Sequence, residues 1–295
     1  MTVTLTGSLK YAVPVLVMAS GLTAAAVPAG AAAPADAAAP PRAAPAGGII
    51  RSAADAGAAA TPMKPAGSPS GYSVTGIDVS HYQSAIDWST VAQDGAQFSY
   101  AKATEGLSYA DPDFAANDSG AKATGLFAGA YSFGRPDLGN PAAQADYLLS
   151  DSGYTDDGKT LPPMLDIEWA PSGLGLSACY NLTPDAMVAW IRGFVNEIKA
   201  RTGRDAVIYT ATKWWDSCTG GNTSFSANPL FIANYYGSPT PLPAGWDTWT
   251  LWQYADSGSL PGDQDVFNGS ISGLAALAGA HHGLSAAAAG IHLVA

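Results

Sequence analysis

Charged residues are scarce in this chain of 295 residues: Lys, Arg, Asp and Glu together make up only 13%, against a usual share of roughly 25%. This scarcity argues against a coiled coil and against a charge-rich disordered protein. The 13 basic residues are outnumbered by 24 acidic ones, and a net charge of −11 disfavours general nucleic-acid binding, which needs a basic face. The two cysteines are too few for a disulfide-dense miniprotein or a four-cysteine zinc site.

The apolar run near the N-terminus is too short for a typical membrane-spanning helix. It covers residues 11–27, is interrupted by Pro14 and Gly21, and falls short of the ~20 residues that a span needs. One cation precedes the run, and an Ala-x-Ala-like processing site follows at residues 31–33. We therefore predict a signal peptide over residues 1–33 and a secreted protein with no stable membrane association after cleavage. An N-terminal membrane anchor is the alternative.

The composition then divides the rest of the chain into three parts. Residues 34–71 are mostly Ala, Pro, Gly and Ser, with no periodic apolar face to bury. Such a segment cannot offset its ordering entropy, so we predict a disordered linker or propeptide. Residues 72–278 have the periodicity of one folded domain, and residues 279–295 return to low complexity as a predicted tail.

Within the folded part, short apolar or β-branched runs alternate with helical patterns. The predicted strands are 73–79, 97–103, 126–133, 164–169, 206–210, 230–235 and 248–254. The predicted helices are 87–92, 113–123, 141–149 and 184–201. This alternation implies an α/β fold with a parallel sheet, and so many strands favour a closed barrel. Because the final third contains more strand than helix, we predict an irregular TIM-like β/α barrel with a strand-rich C-terminal third.

Carboxylates occur at three predicted strand ends, where β/α barrels place their chemistry. Asp78 ends the first strand. Asp166 and Glu168 interrupt an apolar strand at positions i and i+2, which puts both side chains on one face. Asp263 and Asp265 follow the last predicted strand. We predict a catalytic role for the pair Asp166 and Glu168; for Asp78 or Asp263 taken alone, capping of a turn is the alternative.

The chain contains only three glutamates. Glu197 lies on the polar face of the long predicted helix and is expected to be solvated. Glu105 either lines the cleft or caps a turn. Glu168 is the natural proton donor, because crowding by Asp166 among apolar neighbours would raise its pKa. Glycoside hydrolysis requires such an acid beside a second carboxylate.

Aromatic residues cluster near the same strand ends, and a cleft with acids and aromatic faces suits a carbohydrate. They are Tyr82, Tyr100, Tyr131, Trp169, Tyr235, Tyr236, Trp252 and Tyr254. The predicted substrate-binding residues are Glu105, Tyr100, Tyr131, Trp169, Tyr235 and Trp252. Ordinary core packing is the alternative for each aromatic residue.

Six short motifs occur in a fixed order over residues 72–278. They are Gly-Ile-Asp78-Val-Ser-His, Tyr100-Ala-Lys102-Ala-Thr-Glu105-Gly, Gly129-Ala-Tyr131-Ser-Phe, Leu165-Asp166-Ile-Glu168, Ile208-Tyr209-Thr and Leu251-Trp252-Gln253-Tyr254. Together they resemble the family 25 glycoside hydrolases, the Chalaropsis-type lysozymes or N-acetylmuramidases. One departure is Ser132, where family members often have histidine.

The resemblance implies an irregular β/α barrel, secretion, and cleavage of the β-1,4 bond between N-acetylmuramic acid and N-acetylglucosamine in peptidoglycan. It implies that Glu168 is the catalytic glutamate and Asp166 its partner, with Asp78 and Asp263 as further cleft aspartates and Asp265 as the competing assignment for Asp263. The partner is then the glycan strand of bacterial peptidoglycan. A hydrolase of another aminosugar polymer, such as chitin, and a non-catalytic wall-binding module are the alternatives.

Cys179 and Cys218 lie among polar segments of a chain that we expect to be exported, so we predict a disulfide between them. A reactive thiol pair is the alternative. Glycine-rich phosphate loops, a nucleophilic serine elbow and a His-Glu-x-x-His motif are missing from the sequence. We therefore expect no cofactor and no metal. We also expect a monomer.

Overall fold

The computed structural model describes residues 69–279, and within them nine strands form one sheet. The strands are β1 (Thr75–Val79), β2 (Ala96–Glu105), β3 (Tyr109–Ala110), β4 (Phe127–Phe133), β5 (Met164–Asp166), β6 (Val207–Thr210), β7 (Leu230–Ala233), β8 (Leu251–Ala255) and β9 (Asp263–Phe267). The predicted signal peptide, residues 1–33, lies outside the described residues, as do most of the predicted linker and tail.

The sheet closes on itself. Its strands follow the order β1, β9, β8, β7, β6, β5, β4, β2, and β2 pairs again with β1, so eight strands form a closed barrel. The short β3 extends β2 as an antiparallel hairpin. β9 is antiparallel to both of its neighbours, β1 and β8, whereas the remaining barrel strands are parallel. The predicted irregular TIM-like barrel with a strand-rich final third is confirmed.

Six α-helices pack on the barrel or on one another within residues 69–279. They are α1 (Trp88–Gln93), α2 (Phe114–Ala123), α3 (Pro141–Ser152), α4 (Pro184–Thr202), α5 (Thr212–Thr219) and α6 (Ile271–Leu277). The longest, α4, begins after Thr183, whose side chain accepts a hydrogen bond from the backbone of Ala186, and it ends at the left-handed Gly203. None of the described helices is long and apolar enough to cross a membrane.

Two apolar clusters form the core, one between strands and helices and one inside the barrel. Inside, Phe98 and Tyr100 lie in register with glycines of neighbouring strands, Gly76 and Gly129. A Cβ atom on Gly129 would come within 2.3 Å of the Tyr100 ring, so only glycine leaves room for it. Tyr100 is completely buried, and its hydroxyl donates to the carbonyl of Pro162 at 3.0 Å. The prediction that Tyr100 binds substrate is therefore wrong, because its side chain fills the barrel interior.

The predicted disulfide is present. Cys179 lies in the segment between β5 and α4, and it is bonded to Cys218, which is 39 residues further along the chain. Cys218 does not lie in a polar segment, as we expected from the sequence, but is buried on α5. The bond therefore joins α5 to the segment that follows the two strand-end acids of β5.

Removing the disulfide should lower stability without unfolding the barrel. By the chain-entropy model, a loop of this length contributes about 4 kcal/mol as an upper figure, so we expect the double variant Cys179→Ala/Cys218→Ala to lose about 2–4 kcal/mol of unfolding free energy. Urea unfolding with and without dithiothreitol measures this. The reductant should destabilise the wild type and leave the double variant unchanged; equal stability of the two oxidised proteins would contradict the prediction.

Candidate active site

The C-terminal ends of the parallel strands meet at one end of the barrel, here called the barrel mouth. Asp78 lies near the end of β1, β5 ends at Asp166, and Glu168 follows two residues later. Because β9 runs in the opposite direction, its first residue, Asp263, lies at this same end, in register with Asp78. The structure thus brings together four of the predicted carboxylates, here called the acid cluster: Asp78, Asp166, Glu168 and Asp263.

Gln253, a buried residue of β8, connects the two acids of β1 and β9. Its Nε2 donates to Oδ2 of Asp78 at 2.6 Å and to Oδ2 of Asp263 at 3.0 Å. Its Oε1 accepts the hydroxyls of Tyr209, at 2.8 Å, and of Tyr235. Both amide protons and the amide oxygen are therefore used, and this pattern fixes which way the amide group is turned.

The two acids of β5 keep the expected alternation even though the strand is short. The backbone N–H of Ile167 donates to the carbonyl of Tyr209 at 3.0 Å, and that of Gly134 donates to the carbonyl of Asp166 at 2.8 Å. These bonds hold the chain extended beyond its last paired residue. Ile167 points into the outer apolar cluster, so Asp166 and Glu168 on either side of it point to the mouth.

The pKa of Glu168 is raised from its ordinary 4.5 to about 7, first by burial and second by the charge of Asp78, while the cation Lys102 lowers it. The sequence suggested Asp166 as the charge that crowds Glu168. The structure adds the charge of Asp78 to that of Asp166. The repulsion between Asp166 and Glu168 is mutual, and the pKa of Asp166 is raised first by burial and then by the charge of Glu168. Glu168 therefore keeps its proton close to neutral pH.

The acids of β1 and β9 are also shifted. Burial raises the pKa of Asp78 from 3.8 to about 6, against the lowering effects of Gln253 and Asp265. Burial, followed by the charge of Asp78, raises the pKa of both Asp263 and Asp265 well above the usual range. Asp265 lies one strand period deeper than Asp263 and is completely buried. Asp263 is partly exposed, and this geometry favours it over Asp265 as the acid that reaches a ligand.

Glu105 is neither a free cleft acid nor a turn cap. It is 7% exposed, and its Oε2 lies 2.8 Å from Nζ of the buried Lys102 while its Oε1 lies 3.2 Å from Nη1 of Arg135. The prediction that Glu105 binds substrate is corrected on this ground, because both carboxylate oxygens are engaged by cations. The Lys102 ammonium lies 5.1 Å from the centroid of the Phe133 ring. Its positive charge lowers the pKa of Glu168.

Three predicted aromatic residues border the mouth. Tyr131 is a buried residue of β4, and burial followed by the charges of Asp78 and Asp166 raises its pKa well above 10. Tyr235 follows β7 and bonds to Gln253. Trp169 follows Glu168 directly, but its partly exposed ring packs against the outer apolar cluster beside the mouth. For these three residues, binding of substrate stays a prediction.

Trp252 points the other way. Its ring is 1% exposed and packs against Tyr72 and Trp249 in the outer cluster, and its Nε1 donates to the carbonyl of Asn234 at 2.7 Å. The prediction that Trp252 binds substrate is wrong because side chains alternate along β8, so the neighbouring Gln253 takes the inward position.

Gln253, Tyr209 and Lys102 belong to three of the six motifs, but the sequence alone assigned them no role. Each is a residue with a polar group inside an otherwise apolar or small-residue strand. A strand buried on both faces has no solvent for such a group, so it must meet another polar group. A polar side chain within a buried strand was therefore the feature of the sequence that could have identified all three residues.

Within residues 69–279 there is no group of three or more His, Cys, Asp or Glu residues placed to hold a metal ion. In the acid cluster, the Gln253 amide bonds to Asp78 and Asp263, two tyrosines fix that amide, and the charge of the buried Lys102 lowers the pKa of Glu168. The cluster offers a carboxyl group that keeps its proton near neutral pH on one side and a carboxyl group of lower pKa on the other. This combination can protonate a leaving oxygen while stabilising positive charge on the adjacent carbon.

Comparisons with known proteins agree with this chemistry. The family model described as glycosyl hydrolases family 25 matches residues 77–263. The chain is 45% identical to lysozyme M1 of Streptomyces globisporus over 70% of this chain and 71% of that one. It is 42% identical to the N,O-diacetylmuramidase of Chalaropsis sp, over 70% and 99%. The solved bacterial lysozyme of Streptomyces coelicolor is 45% identical, with a TM-score of 0.67 over 70% of this chain and 98% of that one.

The raised pKa of Glu168 makes a prediction about stability. A carboxyl whose folded pKa exceeds its unfolded value stabilises the protein below the unfolded value, near 4.5, and this contribution is lost as the pH rises through about 7. The shift corresponds to about 3 kcal/mol. Glu168→Gln should therefore be more stable than the wild type at pH 8, by up to about that amount, and equal to it at pH 4.

Urea unfolding at both pH values measures the difference. Glu197→Gln is the matched control, since Glu197 on α4 forms only a 3.8 Å ion pair with Arg201. Its removal should change the unfolding free energy by less than about 1 kcal/mol at either pH. If Glu168→Gln were less stable than the wild type at pH 8, the buried-proton description of Glu168 would be wrong.

Proposed function

Because the chain belongs to glycosyl hydrolases family 25 and is a glycoside hydrolase, we propose that it is a secreted lysozyme that cleaves the glycan strands of bacterial peptidoglycan. The observation that carries the proposal is the barrel mouth itself. There, Glu168, with a pKa of about 7, and Asp78, with a pKa of about 6, belong to one acid cluster, in which Asp166 is buried and these two acids are partly exposed. The names of the lysozyme and muramidase relatives supply the substrate class.

The bond proposed to be cleaved is the β-1,4 linkage between N-acetylmuramic acid and N-acetylglucosamine. Glu168 acts as the general acid: its proton passes to the glycosidic oxygen as the bond from that oxygen to the anomeric carbon breaks. Its pKa suits this role, because the proton is retained up to neutral pH and is released readily in the transition state.

Two courses remain for the positive charge that develops at the anomeric carbon. In one, the carbonyl oxygen of the substrate's own N-acetyl group attacks that carbon, with Asp166 orienting the amide, and the configuration is retained. In the other, an aspartate such as Asp78 or Asp263 takes a proton from water as the water attacks, and the configuration is inverted. Proton NMR of the first-formed anomer distinguishes them, since an initial α product excludes retention.

The proposed domain organisation follows the composition. Residues 1–33 are the signal peptide, residues 34–71 the linker or propeptide, residues 72–278 the catalytic barrel and residues 279–295 a tail. Only the barrel falls entirely within the described residues. We propose that the barrel acts as a monomer, with the glycan strand as its partner and without a cofactor.

Purified peptidoglycan tests the bond and the acid together. The wild type should release muropeptides whose new reducing ends are N-acetylmuramic acid, as read by mass spectrometry. Glu168→Gln should reduce turnover by at least ~10²–10⁴-fold, because the amide cannot supply the proton while the shape of the side chain is nearly kept. Reducing ends at glucosamine would overturn the bond assignment, and a variant with a tenth of wild-type activity would overturn the role of Glu168. Chitin in place of peptidoglycan tests the alternative polymer.

The pH profile tests the electrostatics. A general acid works only when protonated, so kcat/KM should fall as pH rises through about 7, and it should also fall below about 6 if Asp78 must be ionised. Lys102 lowers the pKa of Glu168, so Lys102→Gln should move the upper limb of the profile to higher pH. Lys199→Gln removes a half-exposed lysine from α4 and is the matched control, with both limbs unmoved. An upper limb that stays in place in Lys102→Gln would contradict this electrostatic role.

A further inference from the structure

One large aromatic side chain at the barrel mouth is left outside the core. Tyr236 is 77% exposed, more than any other large apolar residue among those that the structure describes. It directly follows Tyr235, whose hydroxyl bonds to Gln253 within the mouth. Successive residues after β7 therefore send one tyrosine inward to the acid cluster and the next outward to solvent.

The loop that carries Tyr236 is braced at both ends. Asn234 donates its backbone N–H to the carbonyl of Gln253 at 3.1 Å, and its Oδ1 accepts the backbone N–H of Tyr236 at 3.0 Å. At the far end, the hydroxyl of Thr212 on α5 donates to the carbonyl of Pro241 at 2.6 Å. The exposed ring is thus presented by an anchored loop, and a preorganised loop loses little conformational freedom when a ligand binds.

The surroundings of the ring are open. Gly237, the next residue, has the left-handed φ of +80°, and a Cβ atom built on it would meet nothing within 4 Å. No aromatic ring in residues 69–279 stacks on Tyr236. The flat face of the ring is therefore available to a flat apolar surface.

The order of strands around the barrel shows which way a polymer can cross the mouth. From β7, one path to β2 passes β8, β9 and β1, which carry Gln253, Asp263 and Asp78. The other passes β6, β5 and β4, and β5 carries Asp166 and leads to Glu168. A chain that lies between the proton donor and the opposite carboxylates therefore leaves the mouth at β7 on one side and at β2 on the other.

We propose that Tyr236 forms an outer sugar-binding subsite, in which its ring stacks on the C–H face of a pyranose of the same glycan strand that is cleaved between the acids. The inference rests on the proposed function. The ligand is a hexopyranose ring in a polymer, because only a chain held between the two groups of acids reaches the β7 edge. A tyrosine suits this contact, since it offers a large rigid face at low cost in side-chain entropy.

The test is the affinity for peptide-free glycan strands prepared from purified peptidoglycan, measured by calorimetry in the Glu168→Gln background so that the strands are not consumed. Adding Tyr236→Ala should weaken binding about three- to tenfold, the range for one aromatic face contact. Tyr236→Phe, which keeps the ring, should stay within about twofold. Ile271→Ala is the matched control, because Ile271 is 46% exposed on α6, which follows the end of β9 at the opposite end of the barrel.

Each outcome decides a different statement. Wild-type cleavage of peptidoglycan together with unchanged affinity in Tyr236→Ala would overturn the subsite and leave the proposed function intact. Absence of cleavage by the wild type would overturn the proposed function, and affinities of the variants would then test sugar binding alone. Self-association in sedimentation that Tyr236→Ala abolishes, with glycan affinity unchanged, would reassign the ring to a contact between copies of the chain. A loss of affinity in Ile271→Ala equal to that in Tyr236→Ala would also overturn the subsite.

Discussion

The amide of Gln253 is the contact on which the rest of the barrel mouth depends. One side chain holds the carboxyls of Asp78 and Asp263 through its nitrogen and the hydroxyls of Tyr209 and Tyr235 through its oxygen. Those partners come from β1, β9, β6 and the segment after β7, so a single group ties together most of the strand ends. Two carboxyls at such close quarters repel each other when both are ionised. An amide that donates to both reduces that repulsion without adding a charge.

Burial of these acids sets a conflict between stability and chemistry. Reduced contact with water raises the pKa values of the four carboxyls, of which Asp166 is buried and the other three are partly exposed. Each ionisation in the folded protein then costs free energy. The same shift gives Glu168 a proton that it can transfer near neutral pH. The fold sustains that cost with two apolar clusters, one inside and one outside the barrel, and with a disulfide beside the loop that follows the β5 acids. The environment that raises these pKa values therefore disfavours the ionised acids in the folded protein and at the same time suits Glu168 to proton transfer.

The sequence predicted those features of the fold and site that depend on neighbouring residues. It failed for residues whose role depends on a partner far away along the chain and for elements with a weak local pattern. Strand–helix alternation predicted the barrel, and Asp166 and Glu168 stood out because they interrupt an apolar strand. Glu105 was misread because one of its two cationic partners, Arg135, lies 30 residues away. The helix α5 was missed because its cap, Ala211, makes no side-chain hydrogen bond, and β9 was missed because two acids break its apolar pattern. The sequence shows that aromatic residues lie close to the strand ends. Which of them face the mouth depends on the alternation of side chains along each strand, and the register of β8 shifts between Gln253 and Ala255.

The antiparallel β9 strand explains why the site is two-sided. In a barrel whose strands are all parallel, residues at the start of a strand lie at the end away from the chemistry. Reversal of β9 brings its first residue, Asp263, to the mouth beside Asp78, while the acids of β5 lie on the opposite arc of the barrel. The two parts of the rim that carry the acids are separated at β7 on one side of the barrel and at β2 on the other, and these two positions are the gaps between them. A linear polymer held for cleavage between the arcs must pass through those gaps, so the direction of the binding groove follows from the topology of the sheet. An exposed aromatic ring on a braced loop at one gap is then best understood as part of that groove.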